Sequence, residues 1–119
     1  MEKDTKSGKV QGLTERFKKC TTEMVTLFLL QDQPMYVYEL EKEIDRITHD
    51  TFHLSTLYPT IYRLLKLGYI KEYSYYVTDS NRLRRYYGIT EEGKKRLKHI
   101  REEYCQMVQA VSDIMADKK

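Results

Sequence analysis

The sequence holds no tryptophan, two cysteines, two prolines and five glycines among its 119 residues. Each scarcity removes a class of protein. Cys20 and Cys105 lie far apart and outside any metal-ligand spacing, which excludes a disulfide framework or zinc module and suits a reducing, cytoplasmic setting. Their expected role is as small core hydrophobes. No apolar run nears the ~20 residues that cross a bilayer, so no membrane partner is expected. The longest, MVTLFLL at 24–30, reads as buried helix. The opening MEKDTKSGKV carries no apolar stretch of signal-peptide type, so secretion is not expected. There is no glycine-rich phosphate loop, no paired nucleophile and base, and no zinc-protease spacing, so neither an enzyme nor a cofactor is expected. His49 and His53 stand four apart without a third ligand, and are read as structural or solvent histidines rather than a metal site.

What is present is an uneven charge. Residues 1–53 carry 8 Lys/Arg against 10 Asp/Glu, residues 54–88 carry 6 against 2, and residues 89–119 carry 7 against 6. The cationic excess sits in the middle third, where it suits a polyanion. Hydrophobic spacing supplies the frame. Apolar residues at 13, 17, 20, 24 and 27 predict a first helix over about 13–32, closed ahead of Pro34. In YVYELEKEIDRI, Val37, Leu40, Ile44 and Ile47 form an inward stripe of a second helix. Leu57, Ile61, Leu64 and Leu65 predict a third. Pro59 falls in its first turn, where a missing N–H costs little if Ser55 or Thr56 caps it, and Gly68 ends it. The tyrosine-rich stretch from 69 predicts a β-hairpin, 69–77 with 83–89, turning at TDSN. A last helix over about 90–116 follows, capped by Thr90 and striped at 97, 100, 104, 107, 111 and 114. Its length of roughly 40 Å at 1.5 Å per residue exceeds what one small core covers, so a partner is expected.

Three helices followed by a basic hairpin is the order of a winged helix-turn-helix, giving a mainly α fold with a small hairpin (α+β). The major groove, about 12 Å wide, admits one helix, with phosphates on both sides. Ser55, Thr56, Tyr58, Thr60, Tyr62 and Arg63 offer polar and planar groups on the third helix, and Lys66 adds a charge. Arg82, Arg84 and Arg85 near the hairpin tip suit phosphates or the minor groove. Any amphipathic helix has a solvated polar face, but acidic residues are absent from 54 to 71, where they would repel DNA. Double-stranded DNA is therefore the expected partner. Structured RNA fits less well, since its narrow major groove does not admit such a helix. The alternative kept open is a ligand-sensing or protein-interaction dimer of winged-helix shape that does not bind DNA.

The residues also carry a resemblance. LYPTIYRLLKLGYI, followed by RRYYGITEEGKKRL, resembles the PadR family of bacterial winged-helix transcription factors in its short subfamily. MYVYEL at 35–40 is similar to the family's second-helix motif, with Val37 where glycine is usual, and the hairpin tip lacks the family's common glycine. The resemblance implies a homodimeric regulator, usually a repressor on a near-palindromic operator, paired through its first and last helices. Tyr58, Pro59, Arg63, Arg84, Arg85, Tyr86 and Tyr87 match its motif positions. On alternating faces of a strand, one of Tyr86 and Tyr87 is expected to pack on the core. The expected organisation is a flexible tail (1–12), a DNA-binding domain (13–89) and a C-terminal dimerisation helix (90–119). In several relatives the dimer encloses a pocket for small aromatic effectors. The residues here that would line one are Cys20, Met24, Phe28, Tyr104, Met107 and Val108.

Overall fold

A computed structural model describes residues 12–55, 57–77 and 82–117, with 76, 77 and 82 described by backbone alone. The order is α1 (Leu13–Leu30), α2 (Val37–Thr48), α3 (Tyr58–Leu67), β1 (Ile70–Val77), β2 (Arg82–Ile89) and α4 (Glu91–Asp117). The expected flexible tail lies outside the described residues but for Gly12, which stands at the N-cap of α1. The first helix stops at Leu30 rather than 32, because residues 31–33 turn the chain so that Met35 can bridge to Tyr87. The two residues exchange backbone bonds of 3.0 and 2.8 Å, so the connection between α1 and α2 is pinned to β2 at a single isolated bridge.

The apolar stripes converge as their spacing requires. Leu27, Leu40, Leu57, Ile61 and Leu64 are fully buried, joined by Leu30, Val37, Ile44, Ile70, Tyr87 and Leu97. At roughly 1.5–3 kcal/mol per large apolar side chain buried, this cluster supplies most of the drive to fold. Ile47 departs from its expected place in the α2 stripe and is half exposed at the helix end.

Local chemistry explains the boundaries. Tyr36 N–H donates to Glu39 Oε1 at 3.2 Å, capping α2 and drawing Glu39 back from the solvent face. Pro59 does sit in the first turn of α3, but the N-cap is Leu57, with no side-chain cap bond. Ser55 is exposed in the bend before it, and Thr56 lies outside the described residues. Burial of Leu57 under the helix, rather than a hydroxyl cap, fixes the entry. Gly68 takes φ 80° at the α3 C-cap, a left-handed conformation that glycine adopts freely.

The start of α4 is clamped to that corner. Thr90 N–H donates to Tyr69 O at 3.1 Å, its hydroxyl donates to Gly68 O at 2.7 Å, and Gly93 N–H donates to Thr90 Oγ1 at 3.0 Å. Gly93 is needed there: a Cβ on it would stand 2.0 Å from Tyr69 O.

Beyond Ile100, α4 leaves the core. From Arg101 to Asp117 every residue except Ala110 is exposed in the single chain, including Met107, Val111, Ile114 and Met115. Cys20 and Cys105 are exposed too, which corrects the expectation of core cysteines. They lie on the stretches of α1 and α4 that one chain leaves uncovered.

Candidate nucleic-acid interface

The exposed side of α3 carries Tyr58, Pro59, Tyr62, Arg63 and Lys66, with Thr60 half-buried at its margin. The outward polar face read from the sequence is therefore present. The rings of Tyr58 and Tyr62 lie 6.0 Å apart and tilted, one turn from each other on the helix flank that faces the hairpin. Between that flank and the hairpin is a hollow of about 490 Å³, where Tyr58 and Tyr62 meet Tyr36, Tyr38, Arg84 and Arg85.

The hairpin register divides its cations. Pairing runs from Ile70↔Ile89 to Val77↔Arg82, so Glu72 stands opposite Tyr87 and Ser74 opposite Arg85 on one face. The other face places Tyr73 opposite Tyr86 and Tyr75 opposite Arg84. Arg84 and Arg85, read from the sequence as one patch, therefore leave on opposite sides, because successive strand residues alternate. Arg85 pairs with Glu72 at 2.5 Å on the side that carries buried Tyr87. Arg84 lies over the Tyr36 ring at 4.4 Å, on the outer side. Tyr86 and Tyr87 divide as the alternation requires: Tyr87 is buried, and its hydroxyl pKa is pushed up by that burial. Tyr86 is half-buried and packs edge-on against Tyr36 at 5.2 Å and Tyr75 at 4.7 Å. The backbone of Arg82 opens β2, while Asp79 and the rest of the tip lie outside the described residues.

Sequence reading missed part of this surface. Tyr36, Tyr38 and Lys42 of the second-helix segment join it: Tyr36 and Tyr38 are neighbouring rings at 6.4 Å, and Lys42 stands 5.5 Å from the Tyr38 ring. Tyr73 and Tyr75, with Lys71 at 5.5 Å from the Tyr73 ring, extend it along β1. The available signal was the alternation of Lys71, Tyr73 and Tyr75, which marks one strand face.

Arg63 is the largest departure from expectation. It stands on the exposed face, but its Nη1 reaches back to Glu23 Oε1 of α1 at 2.6 Å. Glu23 also accepts from Arg96 Nε of α4 at 2.9 Å. Partial burial alone would raise the Glu23 pKa, but the two arginines outweigh it and hold the carboxyl below its ordinary 4.5.

The expected effector residues divide between two clefts along α1 and α4. Met24, Phe28 and Tyr104 join Ile44, Ile47 and Phe52 in an apolar cleft of about 400 Å³. Cys20, Met24, Tyr104 and Met107 border a second of about 510 Å³, beside Glu23 and Arg96. Val108 is exposed and lines neither. His49 caps α2 in the left-handed region and His53 contacts Asp45 at 3.1 Å, so the two share no helix face. Among the described residues no group of three or more His, Cys, Asp or Glu is placed to hold a metal ion. No helix among them is long and apolar enough to cross a membrane.

A helix with an exposed polar face, held beside a cationic two-stranded hairpin, defines a winged helix-turn-helix protein of the DNA-binding class. Residues 26–99 match the model of the transcriptional regulator PadR-like family, well over half of the chain, and the chain belongs to that family. An uncharacterised protein of Lysinibacillus sphaericus is 31% identical over 93 residues, which are 76% of this chain and 84% of that one. A transcriptional regulator from Clostridium thermocellum is 32% identical with a TM-score of 0.75, covering 82% of this chain and 96% of that chain. A PadR family regulator from Eggerthella lenta shares the fold at 24% identity and a TM-score of 0.72, covering 87% of this chain and 85% of that one.

Proposed function

We propose that this PadR-like regulator is a homodimeric repressor that places one α3 in each of two successive major grooves of a near-palindromic operator. Residues 13–89 form the DNA-binding unit, and residues 90–119 form the dimerisation helix. The observation that carries the reading is the hollow between α3 and the hairpin, whose lining includes Tyr58 and Tyr62 on one side and Arg84, Arg85 and Glu72 on the other. A groove-reading surface and its flanking cations are thereby held at fixed spacing. Ser55, Thr56, Tyr58, Thr60 and Tyr62 read base edges, while Arg63, Lys66, Arg82, Arg84 and Arg85 engage phosphates. The uncovered stripe of α4 supports the dimer, since exposed Met107, Val111, Ile114 and Met115 are an apolar face of the kind that marks an interface. Between two such copies, the clefts around Met24 and Tyr104 suit a small aromatic effector.

The test is a salt titration of duplex binding by the parent, Lys66→Ala and Arg84→Ala. Each variant is expected to weaken binding and flatten the log–log salt slope by about 0.9 for every phosphate it no longer neutralises. Parent-like binding by both would overturn the residue assignment.

One observation favours the second reading, a dimer that senses ligands or proteins without DNA. Arg63 and Arg85 already hold carboxylate partners, which lowers the free positive charge. Absence of any affinity for a mixed-sequence duplex at low salt would decide for that reading.

A further inference from the structure

We infer that Glu23 is a resting latch for Arg63, a residue on α1 that sets how readily the recognition helix gives up its arginine to DNA. The inference rests on the proposed contact between Arg63 and a phosphate, and concerns what competes for that contact. One carboxylate joins three elements: α1 supplies Glu23, α3 supplies Arg63 at 2.6 Å, and α4 supplies Arg96 at 2.9 Å. The three partners differ in exposure. The Glu23 side chain is 16% exposed, Arg96 34% and Arg63 57%.

That gradient gives the fork a direction. A half-buried carboxylate stripped of all partners is costly, which would fix a lone arginine in place. Here each oxygen has its own arginine, Oε1 with Arg63 and Oε2 with Arg96. Arg63 can leave toward solvent while Arg96 keeps the carboxylate paired. Glu103 of α4, in the wall of the same cleft, also acts electrostatically on Arg96 and helps to balance its charge when Arg63 turns to a phosphate. Arg96 is further held by its position 5.9 Å from the Tyr69 ring, so it stays behind when Arg63 departs.

The fork also borders the cleft lined by Cys20, Met24, Ile100, Tyr104 and Met107, with Glu23 and Arg96 in its wall. A shift of α4 against α1 therefore changes the hold on Arg63 through the one carboxylate, Glu23, that both arginines share. Glu23 is a positioning residue in this scheme, acting on DNA only through Arg63.

The experiment is a double-mutant cycle on the full chain, using as probe a duplex recovered by repeated selection from a randomised pool. Glu23→Gln is expected to tighten binding about two- to five-fold, the size of a partly exposed ion pair. Arg63→Ala is expected to weaken binding and flatten the salt slope by about 0.9. The double variant is expected to match Arg63→Ala, because the latch then has nothing to release. If Glu23→Gln leaves binding unchanged or weakens it while Arg63→Ala weakens it, the latch is overturned and the DNA contact stands. Tightening that persists without Arg63 overturns it as well, showing a general charge effect. A parent-like Arg63→Ala overturns the DNA contact itself and the latch with it. NMR of isotope-labelled arginine side chains reads the parent protein without mutation. The Arg63 guanidinium signal should move on adding duplex while that of Arg96 holds, and a stationary Arg63 signal contradicts the exchange.

Discussion

Gly93→Ala is expected to cost more than almost any other single methyl group in the chain. In an exposed helix interior this change stabilises by about 1 kcal/mol, because alanine is the better helix former. Here the new Cβ would stand 2.0 Å from Tyr69 O, 2.7 Å from Ile89 Cγ1 and 3.0 Å from Tyr69 C. Two of those atoms are backbone, so no side chain can swing aside. The start of α4 must retreat by about 1.4 Å to reach an ordinary contact, a forced overpacking of ~1–3 kcal/mol. That retreat pulls on the bonds from Thr90 to Tyr69 O at 3.1 Å and to Gly68 O at 2.7 Å, each worth about 1 kcal/mol. Set against the gain in propensity, the net loss is about 2–4 kcal/mol. Urea unfolding followed by circular dichroism measures it. With a slope of about 2 kcal/mol per molar, the midpoint should fall by about 1–2 M. Gly12→Ala is the control, since nothing lies within 4 Å of its added carbon, and about 0.5 kcal/mol or less is expected. A Gly93→Ala protein as stable as the parent, or more so, would refute the close packing of α4 on the Tyr69 carbonyl.

Thr26 is fully buried and its hydroxyl has no hydrogen-bond partner among the described residues. Thr26→Val should therefore stabilise by about 1 kcal/mol in the same urea assay, by removing an unmet polar group at nearly constant shape. Because Glu23 has its carboxyl pKa lowered from 4.5, it contributes stability above that pH that is lost as acid protonates the folded carboxylate. Glu23→Gln should accordingly flatten the decline of the urea midpoint below about pH 4.5, with the neutral limb changed less in shape. Val111→Glu with Ile114→Glu should leave the helical circular dichroism intact, both being exposed and remote from the core, while halving the mass read by sedimentation. A folded double variant that kept the parent's mass would remove α4 from the proposed interface.

The helices and most of their termini were legible because they depend on neighbours in sequence; the exceptions are the α3 N-cap, which falls at Leu57 rather than Ser55 or Thr56, and the end of α1 at Leu30. The stripe Leu57, Ile61 and Leu64, the left-handed Gly68 and the Thr90 cap each follow from spacing or backbone preference within a few residues. The hairpin was legible to within a residue at its ends, and so was the division of labour between Tyr86 and Tyr87. Its two faces were less so, because imperfect alternation of apolar and polar residues does not set register. That Arg84 and Arg85 part does not depend on register, since successive strand residues alternate; register decides only which of them shares a face with Glu72. The least legible pairings join distant residues. Arg63 and Glu23 lie 40 positions apart, and Arg96 and Glu23 lie 73 apart. Nothing local in α1 marks Glu23 as different from any solvated glutamate. The exposure of Cys20 and Cys105 was missed for a related reason: an apolar stripe shows that a helix has a partner, but not whether the same chain supplies it.

The central claim is that two chains, joined along α1 and α4, present two α3 helices to one duplex. Sedimentation equilibrium of the protein with a short duplex carrying the selected operator, at low salt, tests both halves together. The account predicts a complex of one duplex and two chains that dissociates steeply as salt rises. A single chain per duplex, or a paired protein sedimenting apart from the DNA at every salt concentration, would contradict it.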